Sequence, residues 1–397
     1  MMSMPSEAAA GPAVEPLLAA LRAALPAQRP VPLHEPEITG ADRAAVDACL
    51  ASGWISSVGP EIGRLEQALC ELTGLPHALA TVNGTSALHL ALVVAGVAPD
   101  DEVLLPALTF VGSANPVRYQ GAWPHFVDCE ADTLGVDPER LAAHLEEIAE
   151  LRPAGCFNRR TGRRIRALIV VHVLGIPARM PALQALAKRW RLTLIEDAAE
   201  ALGSRLDGRH PGHWGELAVL SFNGNKIVSS GGGGALLCRD PELAERARHL
   251  GTTARRPHPW ALEHDQVAYN YRMPNLNAAL ALSQLQRLPR YLADKARLRA
   301  HLARHLDGVT GARLHRPPAG HQSNHWLNLL QVAPEQRDPL LEAAHAEGIQ
   351  LRPFWTPLNR LPMYRDCPAM PLPVTDELFA GGVCLPGSPG LAPERAS

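Results

Sequence analysis

Few residues of this chain could form a covalent bond through a side-chain amine. Among its 38 basic residues only Lys188, Lys226 and Lys295 are lysines. Lys188 lies in KRWR and Lys295 in DKARLR, and we expect both on the solvated faces of helices. Lys226 lies in SFNGNKIVSSGGGG, where small neighbours would leave its amine free to form an imine with a carbonyl cofactor. Chemistry that needs a lysine is therefore predicted at Lys226.

Other chemically useful residues follow predicted strands. The segment NGTS (83–86) precedes a helical pattern and could bind a phosphate through amide N–H groups and hydroxyls, although, taken alone, the segment favours an ordinary N-cap. Asp197 closes LTLIED and could pair with a cationic ring nitrogen, or cap a turn. Ser221 precedes Lys226 and could contact a phosphate. Phe110 follows EVLLPALT and could stack on a planar ring, or pack in the core.

Taken together, these features supply what pyridoxal 5'-phosphate (PLP) needs from a protein. They are an anion site, an acid that can pair with the pyridine nitrogen and an amine that can form an imine. The glycines at 231–234 do not form GxGxxG after a first strand, so they predict a flexible turn beside the lysine. Their pattern disfavours a nicotinamide-dependent oxidoreductase.

The elements that must position these residues alternate along the chain. Helices are predicted at 86–96 and 181–191, and strands at 77–82, 102–106, 124–129, 166–173, 192–197, 216–222 and 234–240. This alternation is typical of a parallel or mostly parallel sheet covered on both faces. Ligands bind such sheets at the carboxyl ends of the strands. A smaller α+β unit is predicted to follow, with a long helical bridge over 275–306, strands at 324–332 and 349–355 and a helix over 335–347.

These patterns predict three segments. An N-terminal extension (1–30) contains one short amphipathic helix with Leu17, Leu18, Leu21 and Leu25, a large PLP-binding domain covers 31–290, and a small C-terminal domain covers 291–397. The Arg-rich stretch 152–166 is predicted to be a solvated loop, in preference to a phosphate-binding patch.

Composition excludes several classes of function. A net charge of -2 over 397 residues gives no electrostatic footprint for nucleic acid or an anionic membrane. The longest apolar stretch, 86–98, is too short for a span of about 20 residues, and residues 1–13 lack the basic start of a signal peptide. Seven scattered cysteines without a CxxC pair disfavour a zinc site or a disulfide framework. We expect a cytosolic protein without a metal.

Ordered sequence blocks carry a resemblance to a known family. From about Val31 to Leu391 the chain resembles the DegT/DnrJ/EryC1/StrS family of sugar aminotransferases, which have the type I (aspartate aminotransferase-like) fold of PLP-dependent transferases. The blocks are SGWISSVGPEIGRLE (52–66), NGTSALHLAL (83–92), LLPALTFVGSANPV (104–117), VHVLGIPARM (171–180), IEDAAEALGS (195–204), SFNGNKIVSSGGGGAL (221–236), YNYRMPNLNAALALSQL (269–285) and RPFWTPLNRLPMY (352–364).

The resemblance implies a role for each matching residue. Lys226 would be the Schiff-base lysine and Asp197 the partner of the pyridine nitrogen. The residues implied around the rest of PLP are Gly84, Thr85 and Ser221 at the phosphate and Phe110 on the ring. Glu200 stands where many relatives have Gln or His near the phenolic oxygen. Asn270 is similar to the residue that reaches the phosphate from a neighbouring subunit, which implies a homodimer with shared active sites.

The resemblance also implies a reaction. The amino donor would be L-glutamate, and the opening PLHEPEITG (32–40), with SSVG and DAAEALGS, is similar to the branch that acts on UDP-linked 4-keto-6-deoxy-N-acetylhexosamines in bacillosamine or legionaminic acid synthesis. A branch that dehydrates sugars has His in place of the lysine, so Lys226 favours amino transfer. The alternatives are another ketone, such as a 3-keto sugar or a cyclitol, and a non-catalytic relative.

Residues expected near the substrate come from four regions. The candidates are Trp54, Ser56, Ser57, Arg272, His325 and Trp326. Arg272 and, in the RPFW segment, Arg352 are expected near the diphosphate. A surface ion pair would equally account for Arg272, and ordinary packing in the small domain would account for His325 and Trp326. His172 is expected to be a core histidine that does not carry a proton.

Overall fold

A mostly parallel sheet of nine strands lies at the centre of the structure, a computed structural model that describes residues 14–393. The helices are α1 (Glu15–Ala24), α2 (Gly40–Ser52), α3 (Pro60–Thr73), α4 (Gly84–Val94), α5 (Asn115–Tyr119), α6 (Pro138–Ile148), α7 (Met180–Trp190), α8 (Pro241–Gly251), α9 (Asn275–Leu285), α10 (Leu288–Leu306), α11 (Pro334–Ala346) and α12 (Pro373–Gly381). The strands are β1 (His77–Thr81), β2 (Glu102–Pro106), β3 (Trp123–Val127), β4 (Ala149–Arg152), β5 (Gly155–Asn158), β6 (Arg164–Val171), β7 (Thr193–Asp197), β8 (Arg205–Leu206), β9 (Leu217–Ser221), β10 (Gly234–Cys238), β11 (Ala312–Leu314), β12 (His321–Gln322), β13 (Asn328–Val332), β14 (Arg352–Pro353) and β15 (Gly382–Leu385).

The strand order places the functional loops along one edge of this sheet. The order is β1-β10-β9-β7-β6-β2-β3. The five strands from β9 to β3 pair in parallel, and β10 is antiparallel to both β1 and β9. In register, Asp197 lies between Val171 of β6 and Val219 of β9. The predicted fold class, a mostly parallel sheet with the type I arrangement, is confirmed.

Helix α4 shows why the local sequence folds as it does. Its sequence GTSALHLALVV is apolar on nearly all sides, and the helix packs on β9 and β10. Asn83 caps its start, because the side-chain oxygen accepts a hydrogen bond from Ser86 N at 2.7 Å. Leu88 and Leu90 are fully buried, and each contributes about 2 kcal/mol to stability by leaving water.

A second sheet, in the order β11-β13-β15-β14, forms the core of the C-terminal part. The predicted N-terminal helix is confirmed as α1. Its Leu17 and Leu21 pack with Leu298 and Leu302 of α10 in one apolar cluster. The predicted boundary between residues 290 and 291 falls inside α10, and the division into domains stays a prediction.

Three predicted elements differ from the structure. The prediction of a solvated loop over the Arg-rich stretch 152–166 is wrong. Strands β4 and β5 form a hairpin there, and β5 pairs with β6. Its arginines find partners, since Arg164 Nη2 lies 2.6 Å from Asp101 Oδ2 and the Arg152 guanidinium stacks on Phe157. The bridge over 275–306 is two helices, α9 and α10, and the second begins with a proline at N1 or N2. The strand predicted at 349–355 shrinks to β14.

Other features bear on the classes of function excluded above. Within residues 14–393, none of the helices combines the length and apolar composition needed to cross a bilayer. Over the same range, no group of three or more His, Cys, Asp or Glu side chains could hold a metal ion. All seven cysteines are free thiols. The prediction about a signal peptide concerns residues 1–13, which lie outside the described residues.

Candidate active site

A cavity of about 760 Å³ opens where the carboxyl ends of the central strands meet the second sheet. Residues that are far apart in sequence form its wall, among them Gly84, Phe110, Asp197, Lys226, Trp326 and Arg352. Parallel strands bring their carboxyl ends to one edge, so the loops after β2, β7 and β9 converge there.

Lys226 projects into this cavity from the loop that joins β9 to β10. Its Nζ lies 3.4 Å from Glu200 Oε1 and 4.0 Å from the centre of the Trp326 ring. The Trp326 indole is held in turn, because its Nε1 donates a hydrogen bond to the Asn225 carbonyl at 2.7 Å. The amine is therefore oriented by a carboxylate and an aromatic face inside the cavity, where it can form a covalent bond with a carbonyl carbon.

Asp197 ends β7 and is almost completely buried. Its Oδ2 accepts a hydrogen bond from Ser113 Oγ at 2.7 Å, and its Oδ1 accepts one from Ala199 N at 3.2 Å. The Ser113 hydroxyl is itself 3.1 Å from Thr109 Oγ1. These bonds hold the carboxylate at the cavity wall. Its remaining lone pairs can accept a hydrogen bond from a protonated ring nitrogen.

An anion site is built around the N-terminus of α4. The helix start and the end of β9 approach so closely that a Cβ on Gly84 would lie 3.0 Å from Ser221 Cβ and 3.2 Å from the Leu220 carbonyl oxygen. A side chain here would force these neighbours to shift by a few tenths of an ångström, whereas glycine leaves the helix start close to β9 with its amide N–H groups free to face a bound anion. Thr85 and Ser221 add hydroxyls to the same part of the wall, and the helix N-terminus favours negative charge.

Phe110 covers one side of the cavity. Its ring is 56% exposed in the single chain, which is unusual for a phenylalanine in the core and suits a ring that stacks on a ligand. Gly112 lets it lie there, because a Cβ at that position would be 2.9 Å from the Phe110 ring and 3.3 Å from Thr85 Oγ1. The aromatic face and the anion site are thus packed together.

Glu200 is a buried carboxyl group in contact with the lysine. Its Oε2 accepts a hydrogen bond from Leu174 N at 2.8 Å, and its Oε1 faces Lys226. Burial raises the pKa of Glu200, and the positive charge of Lys226 opposes that rise. The acid can therefore share a proton with the nitrogen that faces it.

The donor set fits PLP. The cavity places an amine, a carboxylate, an aromatic face and a phosphate-type cradle within one wall, and the glycine at 84 keeps that cradle open. Lys226, Asp197 and Phe110 would hold the ring, and Gly84, Thr85 and Ser221 the phosphate. Together these are the groups that PLP requires from a protein.

The residues expected near the substrate separate into two groups. Trp326 lies in the cavity wall, with Arg352 beside it. The wall formed by residues 14–393 does not include the other five, Trp54, Ser56, Ser57, Arg272 and His325.

These other residues have partners elsewhere. The Ser56 carbonyl accepts a hydrogen bond from Asn275 N at 2.6 Å, which holds the loop after α2 against α9. Arg272 Nε donates to Asn270 Oδ1 at 3.1 Å on the exposed surface, so both side chains lie away from the cavity of their own chain. His172 is confirmed as a core histidine, since its Nε2 donates to Glu196 and its Nδ1 accepts from Ala178 N.

The prediction that Lys295 is solvated is wrong. Its side chain is 1% exposed, because the α10 face that carries it packs against the second sheet and the chain before α2. Its Nζ donates to the carbonyls of His325 at 3.3 Å and Trp326 at 3.2 Å, and also to that of Gly387. It lies 3.0 Å from His34 Nε2.

Sequence reasoning also missed wall residues. His34, Gln350 and Trp355 line the cavity, although they come from segments far from the lysine loop. Ser113 lies in the block LLPALTFVGSANPV and could have been found there, as the second hydroxyl after β2, following Thr109. His34 has no comparable local signal, because only the tertiary contacts bring it to this wall.

Comparison with known proteins shows which family the chain matches. A family model described as the DegT/DnrJ/EryC1/StrS aminotransferase family matches residues 36–397. GDP-perosamine synthase of Escherichia coli O157:H7 is 31% identical over 369 residues, covering 92% of this chain and 95% of that protein.

Two solved structures show the same fold. The aminotransferase TlmJ from Streptoalloteichus hindustanus has a TM-score of 0.82 at 30% identity, with 90% of this chain and 93% of that chain covered. DesI in the presence of its TDP-sugar product has a TM-score of 0.79 at 30% identity, with 90% and 88% covered.

Proposed function

Because the chain belongs to the DegT/DnrJ/EryC1/StrS aminotransferase family, whose members are PLP-dependent, we propose that it transfers an amino group from L-glutamate to the C4 ketone of a nucleotide-linked 4-keto-6-deoxy sugar. The observation that carries the proposal is the convergence of Lys226, Asp197 and the Gly84 anion site on one cavity. A non-catalytic relative has no need for the lysine and the acid together.

Each of the residues at this site has its own role in the reaction. PLP, when bound, supplies a carbonyl carbon that amines attack and a ring that withdraws electrons. Lys226 supplies the amine that binds this carbon and, once displaced by a donor amine, takes up and returns a proton at Nζ. Asp197 keeps a proton on the pyridine nitrogen through a charge-assisted hydrogen bond. Glu200 and the Trp326 ring keep Nζ close to its working position between these events.

The identity of the sugar nucleotide is the finer part of the proposal. The blocks at 32–40 and around Glu200 support a UDP-linked N-acetylhexosamine. A GDP-linked sugar is the second candidate, because GDP-perosamine synthase is the similar enzyme described above. Arg352 is an exposed cation in the cavity wall and would pair with the diphosphate of either. A 3-keto sugar or a cyclitol remains the alternative outcome of the test.

A panel of acceptors tests the reaction. Purified protein is incubated with PLP, L-glutamate and one acceptor from a panel of UDP-, GDP- or TDP-linked 4-keto-6-deoxy sugars, a nucleotide-linked 3-keto sugar and a keto-cyclitol, and release of 2-oxoglutarate is followed. We expect two half-reactions with ping-pong kinetics, and NMR of the product identifies the aminated carbon. A yellow protein whose band borohydride removes supports covalent binding at Lys226. A protein that stays colourless with PLP would contradict the proposal.

We also propose a homodimer with shared sites. Trp260 is 82% and Val267 95% exposed in the single chain, and large exposed apolar side chains mark interaction surfaces. Asn270 follows them and is exposed too, where it could reach the phosphate site of a second copy. The cytosolic location expected from composition belongs to the same proposal.

Mixing two inactive variants tests the shared site. Lys226→Ala and Asn270→Ala should each lose most activity, since each removes one part of every site. After subunit exchange, mixed dimers contain one site with both residues intact, so activity should return in part. If both variants are dimeric and exchange subunits but the mixture stays inactive, the site is not shared in this way.

A further inference from the structure

A single buried ammonium group joins the segments that form one wall of the cavity. Lys295 comes from α10, and its Nζ contacts the His34 imidazole and the carbonyls of His325, Trp326 and Gly387. These partners lie before α2, before β13 and after β15. A lysine in this position holds several chain segments together, because each N–H bond satisfies a backbone acceptor that water does not reach.

Two of the partners face the cavity. Trp326 is held at its backbone by Lys295 and at its indole by the Asn225 carbonyl, and its ring lies on the Lys226 amine. His34 lines the same cavity. Its neighbour Leu33 is held too, because the Leu33 carbonyl accepts a hydrogen bond from Gly387 N at 2.8 Å. A shift of the Lys295 side chain would therefore move this part of the wall.

The contact with Lys295 also determines which imidazole nitrogen of His34 carries the proton. Burial lowers the pKa of Lys295 to about 7, but the three carbonyl oxygens around Nζ can only accept hydrogen bonds and so favour its charged form. A charged Nζ can only donate, so in that form His34 Nε2 accepts and Nδ1 carries the N–H. Burial, followed by the positive charges of Lys295 and Lys226, lowers the pKa of His34 well below its usual value, which keeps the ring neutral. Among residues 14–393 this buried Nδ1 has no hydrogen-bond partner. An unpaired buried N–H is costly, and because the His34 ring is only half-buried as a whole, a small rotation of the imidazole would let a ligand oxygen reach Nδ1 and recover that cost.

We infer that His34 donates a hydrogen bond to the keto-sugar acceptor and that Lys295 is the positioning residue that orients His34 and Trp326 for it. This inference rests on the proposed function and adds two residues to it. The acceptor is the better match for this wall than the donor, because L-glutamate is much smaller than a nucleotide sugar and fills less of a 760 Å³ cavity. A site built around one buried donor rejects ligands that lack the matching oxygen.

Separate measurement of the two half-reactions tests the inference. The variants are Lys295→Met, His34→Phe and the double variant, with Lys188→Met as the matched control because Lys188 is exposed on α7. We expect Lys295→Met and His34→Phe each to lower kcat/KM for the keto sugar about tenfold or more, mainly through KM. For His34→Phe, the half-reaction with L-glutamate and the absorbance of the PLP-loaded protein should stay at wild-type values; Lys295→Met also releases Trp326, so it should lose more in the keto-sugar half-reaction than in the L-glutamate one.

Comparison of the double variant with the two single variants gives a second readout. Because Lys295 acts through His34, the double variant should lose no more than the worse single variant. Equal losses in both half-reactions of His34→Phe, additive losses in the double variant, or a His34→Phe protein that matches wild type would each overturn the inference. If Lys295→Met does not fold, His34→Phe decides alone by the same criteria. If the wild-type protein binds PLP but aminates no keto sugar, both the proposed function and this inference are wrong. If the wild-type protein is active and the variants match it, only the inference is wrong.

Discussion

Replacing Asp197 by asparagine distinguishes a role of its charge in the reaction from a role of its side chain in stabilising the fold. The substitution keeps the size of the side chain, and its remaining oxygen can still accept a hydrogen bond from Ser113 or Ala199. What is lost is the negative charge that faces the cavity. We therefore expect a folded protein whose free energy of unfolding changes little but whose PLP-dependent activity is much reduced.

The structure sets the size of this effect. Asp197 is 6% exposed, so water screens its charge poorly. A hydrogen bond between charged groups is worth about 1.5–3 kcal/mol, and at about 1.4 kcal/mol per factor of ten its loss lowers the rate about 10- to 100-fold. The assay is the single-turnover rate with L-glutamate at saturating PLP, followed by absorbance, together with urea unfolding of the same preparation.

A second buried aspartate provides the control. Asp128 follows β3 and is 1% exposed, but its carboxylate accepts hydrogen bonds from the backbone N–H groups of Val374 and Thr375 and not from any cavity residue. Asp128→Asn should lower the free energy of unfolding by about 1–3 kcal/mol and leave the single-turnover rate unchanged. If Asp197→Asn saturated with PLP reacts at the wild-type rate, or if both variants lose rate equally, the role assigned to Asp197 is wrong.

Two further variants test individual charges. Glu200→Gln keeps a hydrogen-bond acceptor for Leu174 N but removes the negative charge beside Lys226. The apparent pKa of the PLP absorbance band should therefore fall by about one unit or more in a pH titration of the loaded protein. An unchanged midpoint would show that Glu200 carries no charge there. Burial alone would raise the pKa of Asp42, but hydrogen bonds from Arg287 and Thr39 lower it to about 2. Because this pKa is below its unfolded value, the carboxylate stabilises the fold above about pH 4, and the stabilisation is lost as the pH falls through about 2. Asp42→Asn should therefore cost about 2 kcal/mol at pH 7 and flatten the acid dependence of urea unfolding, and a variant as acid-sensitive as wild type would refute this.

Local sequence was informative wherever one element determines where a side chain lies. Asp197 and Ser221 could be assigned because each ends an apolar strand, and parallel strands bring such ends together. The NGTS segment could be assigned because a helix N-terminus has exposed N–H groups wherever it occurs. The Arg-rich hairpin was missed, because long basic side chains can cover apolar surface while their charged ends stay in water, so composition alone does not distinguish a strand from a loop.

The amino-acid sequence by itself determined the chemistry available to this protein: three amines, one of them in a flexible loop of small residues, an acid at a strand end and an anion site at a helix start. Only the tertiary structure decided how the other lysines differ. Lys188 and Lys295 both lie in amphipathic helices, yet the first is exposed and the second is buried among carbonyls from distant segments. The physical reason is that burial depends on what packs against a helix face, and residues 34, 326 and 387 meet Lys295 only after the whole chain has folded.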